Sequence, residues 1–147
     1  MIKKCFILFF LVALLSGCAT LANGPLFTKA PMAPTNKGTL YLFRPRSSLG
    51  KTPLVKINGK PFVALTVLGY SYVYLSPGVY QLVFYYGTFG DNFISEIEIK
   101  QGQDTFLQYY AYGFGSGQGV RDFSSAQALE ELKMYRYIQP LNTDFKN

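Results

Sequence analysis

Residues 39–147 predict a mainly β domain: an antiparallel β-sandwich of about seven short strands with one C-terminal α-helix. Three observations carry that expectation. Short runs rich in Val, Ile, Thr, Tyr and Phe recur at roughly 8–12-residue spacing, the rhythm of a sandwich or small barrel. Turn residues punctuate them, above all Asn58-Gly59 and Ser76-Pro77-Gly78. The chain also holds 13 Phe and 12 Tyr in 147 residues, with no Trp, and such rings favour a pleated, half-buried surface.

The elements follow in order. Residues 39–44 form a first strand, stopped by Pro45. Residues 53–57 and 61–67 flank Asn58-Gly59-Lys60 as a hairpin. Residues 70–75 and 79–86 flank a turn in which Pro77 presets φ and Gly78 is free to take a positive one. In residues 93–100, Phe93, Ile97 and Ile99 share one face, while Glu96, Glu98 and Lys100 share the other. Gly102 marks a turn before the strand 105–112. Ser124 and Gln127 then match a capping box, and Ala128, Leu129, Leu132 and Tyr135 recur at helical spacing. Residues 125–135 therefore read as an amphipathic helix closing a face or edge of the sheets. Pro140 ends any helix and leaves a loose tail.

The N-terminus is organised differently. Lys3 and Lys4 precede an almost unbroken apolar run over residues 5–14. It is too short for a helix across a hydrocarbon core, which takes about 20 residues. It fits the apolar region of a secretory signal, about 7–15 residues long. Leu15-Ser16-Gly17-Cys18 follows, and this stretch resembles the lipobox of bacterial lipoprotein precursors. The resemblance implies signal-peptidase recognition through Leu15, Ser16 and Gly17, and a diacylglyceryl thioether on Cys18. A further acyl chain such as palmitate would sit on the Cys18 amine. Each buried methylene contributes ~0.8 kcal/mol, so two or three chains hold stably where one is marginal. Residues 1–17 are then a signal peptide, 18–38 a lipidated flexible tether, and 39–147 the domain. Pro25, Pro31 and Pro34 break any period in the tether, although Leu26, Phe27 and Met32 offer an alternative in which it packs on the domain. Ala19 after the cysteine, by likeness to enterobacterial sorting rules, places the protein in the outer membrane facing the periplasm.

Composition narrows the function. Removing 17 of 147 residues leaves 130, enough for one domain with its own core. The loss of Lys3 and Lys4 takes the net charge from +6 to +4, a balance that suits anionic envelope surfaces more than nucleic acid. Cys5 and Cys18 are the two cysteines, so the mature chain has no disulfide. Histidine is absent, which removes the commonest general base and metal ligand.

The order Gly38-Thr39-Leu40-Tyr41-Leu42-Phe43-Arg44-Pro45, Lys56-Ile57-Asn58-Gly59-Lys60, Leu75-Ser76-Pro77-Gly78-Val79-Tyr80, with the lipobox and the helix at Ala128-Leu129-Glu130-Glu131-Leu132-Lys133, resembles a family. It is similar to the small bacterial lipoproteins grouped as a domain of unknown function (the DUF 2846 type). That resemblance implies a fold and a location, and no active residues. It also looks like the non-catalytic cell-surface domains that carry a Pro-Gly-x-Tyr hairpin.

No motif supplies chemistry. Gly50-Lys51-Thr52 lacks the first glycine of a P-loop, since Pro45 holds that position, and a strand follows where a helix is needed. Gly113, Gly115, Gly117 and Gly119 alternate out of register with a dinucleotide fingerprint and read as a loop. A serine nucleophile would need lysine activation, for which Ser48 and Lys51 are the nearest pair. Glu96, Glu98, Glu130 and Glu131 read as solvated faces, not as a catalytic carboxylate pair or a metal site. The expectation is a non-enzyme without catalytic, cofactor-binding or metal-binding residues. Arg44, Arg46 and Lys51 bracket a loop as a small basic patch. Tyr70, Tyr72 and Tyr74 share one strand face, where they stack on sugars, meet a protein, or pack internally. Phe114 stands at the tip of the glycine-rich loop. The reading is an outer-membrane lipoprotein acting as a binding or assembly module, its partners the membrane through Cys18 and an envelope protein. The alternative is a peptidoglycan-binding module using the tyrosines and the basic loop. Inhibition of basic lysozymes is disfavoured by the chain's own positive charge.

Overall fold

The computed structural model describes residues 21–88, 90–112 and 117–145. Leu15, Ser16, Gly17, Cys18 and Phe114 lie outside the described residues. The seven expected strands form: β1 (Gly38–Arg44), β2 (Leu54–Ile57), β3 (Lys60–Ala64), β4 (Gly69–Leu75), β5 (Gly78–Tyr85), β6 (Phe93–Ile99) and β7 (Asp104–Ala111). Two more join them, β8 (Gln118–Phe123) and a short β9 (Arg136–Tyr137). One sheet has the order β8-β7-β1-β4-β9 and the other β3-β2-β5-β6, and they pack face to face as a β-sandwich. The pairings are antiparallel except β1 with β7 and β4 with β9, which are parallel.

The core has two layers. Leu40 and Leu42 of β1, Val73 and Leu75 of β4 and Leu107 of β7 face the four-stranded sheet, where Ile57, Leu82, Phe84, Ile97 and Ile99 meet them. The opposite face of the five-stranded sheet is also covered. Tyr41, Phe43, Tyr70 and Phe106 lie there beneath Ala30, Ala128, Leu132 and Tyr135. Tyr41 stacks on Phe106 at 4.6 Å, and Tyr135 meets Phe43 edge-on at 5.5 Å. Because β1 is central between the two layers, all seven of its residues are buried.

The outer cover comes from two pieces of chain. The helix α1 (Ser125–Glu131) starts at the expected capping box: Ser124 Oγ accepts from Gln127 N–H, and Gln127 Oε1 accepts from Ser124 N–H. It is shorter than 125–135. A 3-10 turn (Leu132–Met134) follows, and Tyr135 is extended so that the chain can enter β9. The second piece is residues 21–37, expected as a flexible tether, which lies on the sheet as a strap. Phe27 N–H donates to Tyr135 O at 2.9 Å and Leu26 bridges Arg136. Leu26 is 54% and Met32 94% exposed, so of the three apolar residues in the packing alternative Phe27 is the one whose side chain packs.

The tail beyond Pro140 is also packed, not loose. Leu141 N–H bonds Phe62 O at 2.7 Å, and buried Phe145 sits edge-on to Phe62 at 5.9 Å. β3 stops at Ala64, short of residue 67, where the backbone leaves the ladder and Leu65 N–H returns to Pro53 O. Pro61 sits on that edge strand, where a missing N–H is tolerated. β8 begins in the stretch read as a glycine-rich loop. Gly119 leaves room there for the end of the Tyr110 ring, which lies where a Cβ would be.

Candidate functional site

Loops from both sheets gather at one end and line one cleft. Those joining β1 to β2, β5 to β6 and β7 to β8 meet beyond Arg44, Tyr85 and Ala111. Arg44 is the last residue of β1, and the period of two that sends Leu40 and Leu42 inward sends Arg44 inward too. Its side chain is fully buried. Carbonyl oxygens and one hydroxyl surround the guanidinium. Nε donates to Ser48 Oγ at 3.2 Å. Nη1 donates to Lys51 O at 3.1 Å and Leu65 O at 3.2 Å. Nη2 reaches the carbonyls of Ser48, Leu49 and Gly50 at 3.3, 3.2 and 3.0 Å.

This corrects the basic patch. Arg44 is no surface contact: burial lowers its pKa from 12.5, and the Tyr86 and Tyr109 hydroxyls nearby act the other way. An arginine remains charged in proteins, so a cation is held here by backbone dipoles. The loop is fastened a second time to β7. Ser48 Oγ accepts from Ala111 N–H at 2.9 Å, and Leu49 N–H donates to Ala111 O at 2.8 Å. Ser48 is thus a structural hydroxyl, held by Arg44 and the Ala111 amide. Arg46 and Lys51 stay exposed on the braced loop, with Leu49 between them 58% exposed.

Beside the loop is an open cleft of about 570 Å³, lined among others by Leu49, Lys51, Tyr86, Asp91, Tyr112 and Gln118. A polar chain runs along it. The Tyr86 and Tyr109 hydroxyls share a hydrogen bond, Tyr109 donates to Gln118 Oε1 at 2.8 Å, and Gln118 Nε2 donates to Asp91 O at 2.5 Å. Burial pushes the Tyr109 phenol well above its ordinary 10, so it stays protonated at neutral pH. Each member is engaged with the next, an arrangement that orients a surface and offers no activated nucleophile.

The tyrosine face is occupied. Tyr70 is buried, and Tyr72 and Tyr74 are half-buried along the strap. Thr28 N–H donates to Tyr70 Oη at 3.3 Å, and Tyr74 Oη donates to Pro31 O at 2.8 Å. Phe27 lies edge-on to Tyr70 at 5.0 Å and to Tyr41 at 6.4 Å. Of the packing and contact roles open to this face, packing accounts for Tyr70, while Tyr72 and Tyr74 keep part of their surface open. The phenols give the proline-bearing strap the hydrogen bonds that a ladder would otherwise provide.

The carboxylates are dispersed. Glu98 lies near Lys100 at 3.6 Å, Glu130 pairs with Lys133 at 2.7 Å, and Glu131 accepts from Tyr135 Oη at 2.9 Å. Among the described residues no group of three His, Cys, Asp or Glu is placed to hold a metal. Sequence reasoning missed Leu49, Tyr86, Asp91, Tyr112 and Gln118, which come from three separate loops and have no common spacing. No family model, curated protein or solved structure matches the chain.

Proposed function

We propose that this chain is a lipid-anchored protein of the bacterial cell envelope. In this reading it is held through Cys18 in the outer membrane, faces the periplasm, and acts as a non-catalytic binding or assembly module. The observation that carries the reading is Leu15-Ser16-Gly17-Cys18 directly after Lys3, Lys4 and the apolar run. The β-sandwich and its likeness in motif order to the small lipoprotein family agree with it. The braced loop end supports the binding half. Functional contacts favour loops held by a rigid scaffold, and here a buried guanidinium stiffens the loop that presents Arg46, Leu49 and Lys51.

Glycan binding is the second reading, and one observation favours it: Tyr112, half exposed, shares the cleft with Lys51. An aromatic face beside a cation suits a sugar polymer with anionic groups. It is an alternative to the Tyr70, Tyr72 and Tyr74 ladder, in which Tyr70 is buried and the Tyr74 hydroxyl is engaged by the strap. Co-sedimentation with purified peptidoglycan sacculi across a salt series separates the two readings. Saturable binding that survives moderate salt and falls in Tyr112→Ala supports the glycan module. Absence of binding, or its loss as salt shortens the screening length, leaves a protein or lipid partner.

A further inference from the structure

The strap fixes which end of the domain an anchor can hold. Leu21 bridges Val67, and Ala22 N–H donates to Val67 O. The next residue, Leu68, bonds Arg44 O at 2.9 Å, so the strap begins at the loop end of the sandwich. From there it follows the tyrosine face, meeting Tyr70 at Thr28 and Tyr74 at Pro31, and enters β1 at the opposite end. Three Cα–Cα steps lead from Leu21 back to Cys18. At no more than ~3.6 Å per residue, the two lie within about 11 Å. Strands of seven or eight residues are about 25 Å long, so the opposite end is beyond that reach.

The geometry points to the loop end as a membrane-docking face, with Arg46 and Lys51 on anionic lipid headgroups and Leu49 and Leu21 at the headgroup boundary. This rests on the reading that Cys18 carries the lipid, and it names the first partner of the loop end as the bilayer itself. Leu21 is 57% and Leu49 58% exposed, and both lie on the anchored side. Arg136 is at the same end but is engaged with Gly24 O at 2.9 Å. Asp91 is the acidic side chain of the adjoining cleft. Each basic side chain at an anionic surface shifts the equilibrium about fivefold. Two suffice here because the anchor has already made docking intramolecular.

The full lipidated chain in vesicles of phosphatidylethanolamine and phosphatidylglycerol, doped with a nitroxide lipid, tests this. Thr52→Cys places a fluorescent reporter at the loop end, and Lys60→Cys places one on the Asn58-Gly59 hairpin at the other. Cys5 leaves with the signal and a lipidated Cys18 has no free thiol, so each reporter is the single site of labelling. The Thr52 reporter should be quenched and blue-shifted while the Lys60 reporter is not. Arg46→Gln with Lys51→Gln should lower the docked-to-free ratio about 30-fold. Phosphatidylcholine vesicles should lower it to a similar extent. Equal quenching at the two sites, deeper quenching at Lys60, or no change with charge overturns the docking face while leaving the anchor standing. A reactive thiol at Cys18, or a chain that stays off vesicles, overturns the anchor reading itself.

Discussion

Arg44 holds the loop end together through five backbone carbonyls and the Ser48 hydroxyl, and removing it leaves five backbone acceptors to find new partners. Arg44→Met should cost about 3–5 kcal/mol, and Arg44→Lys should recover only part, because an ammonium cannot reproduce the planar fork. Urea midpoints read the loss, and hydrogen exchange at the Leu49 amide shows the loop opening. A change under about 0.5 kcal/mol with the amide still protected would contradict the bracing role. Arg44 also shows what the sequence conceals. Its inward direction could be read from the parity of Leu40 and Leu42, but its acceptors come from a loop fold with no motif. Proximity to Arg46 and Lys51 therefore suggested a surface patch. The tyrosines give a second prediction. Burial pushes the Tyr41 phenol from 10 up to about 12, and it raises those of Tyr70, Tyr109 and Tyr135 as well. Below pH 10 both folded and unfolded chains keep Tyr41 neutral, so its contribution is complete. As the pH rises from 10 to about 12 the unfolded phenol ionises first, and about 2–3 kcal/mol is lost from Tyr41 alone. Urea midpoints taken from neutrality upward should fall in that window, together with the appearance of tyrosinate absorbance. A flat profile, with every tyrosine ionising at its ordinary pKa in the folded chain, would contradict the buried placement.

At the scale of elements, the seven expected strands and the capped helix were legible because each has a local cause: alternation, an Asn-Gly or Pro-Gly turn, or a reciprocal cap. The strap, β8 and the packed tail were not, because their causes are tertiary. Three prolines make residues 21–37 look unstructured, yet an extended proline-bearing segment fits a row of phenols that donate to and accept from its backbone. Around the start of β8, Gly117 and Gly119 suggested a loop, although Gly119 lets the Tyr110 ring close over the strand. Phe27 tests the strap most sharply. It is half-buried against both Tyr70 and Tyr41. Phe27→Ala should cost about 2 kcal/mol, somewhat less than a fully buried phenylalanine. It should also speed exchange at the Thr28 and Ala30 amides, which bond Tyr70 Oη and Tyr41 Oη. Unchanged exchange at those two amides would mean that the strap is held by something other than this ring.

On the scale of the whole molecule, three layers explain why tyrosine occupies both faces of several strands. The five-stranded sheet is buried on one side by its partner sheet and on the other by strap, helix and Tyr135. One consequence concerns reach. A free tether of about 20 residues would span ~25 Å on average and let the domain stand away from its anchor. A strap fastened from Leu21 onward keeps the domain against whatever holds Cys18. No helix among the described residues is long and apolar enough to cross a membrane. Anchoring in this reading therefore turns on one residue, Cys18. Mass spectrometry of the chain recovered from bacterial membranes is the most direct measurement. A polypeptide beginning at Cys18, with a diacylglyceryl thioether and an acylated amine, is the predicted result, and Cys18→Ser should abolish both the modification and membrane retention. A chain that keeps residues 1–17, or one with a free thiol at Cys18, would contradict it.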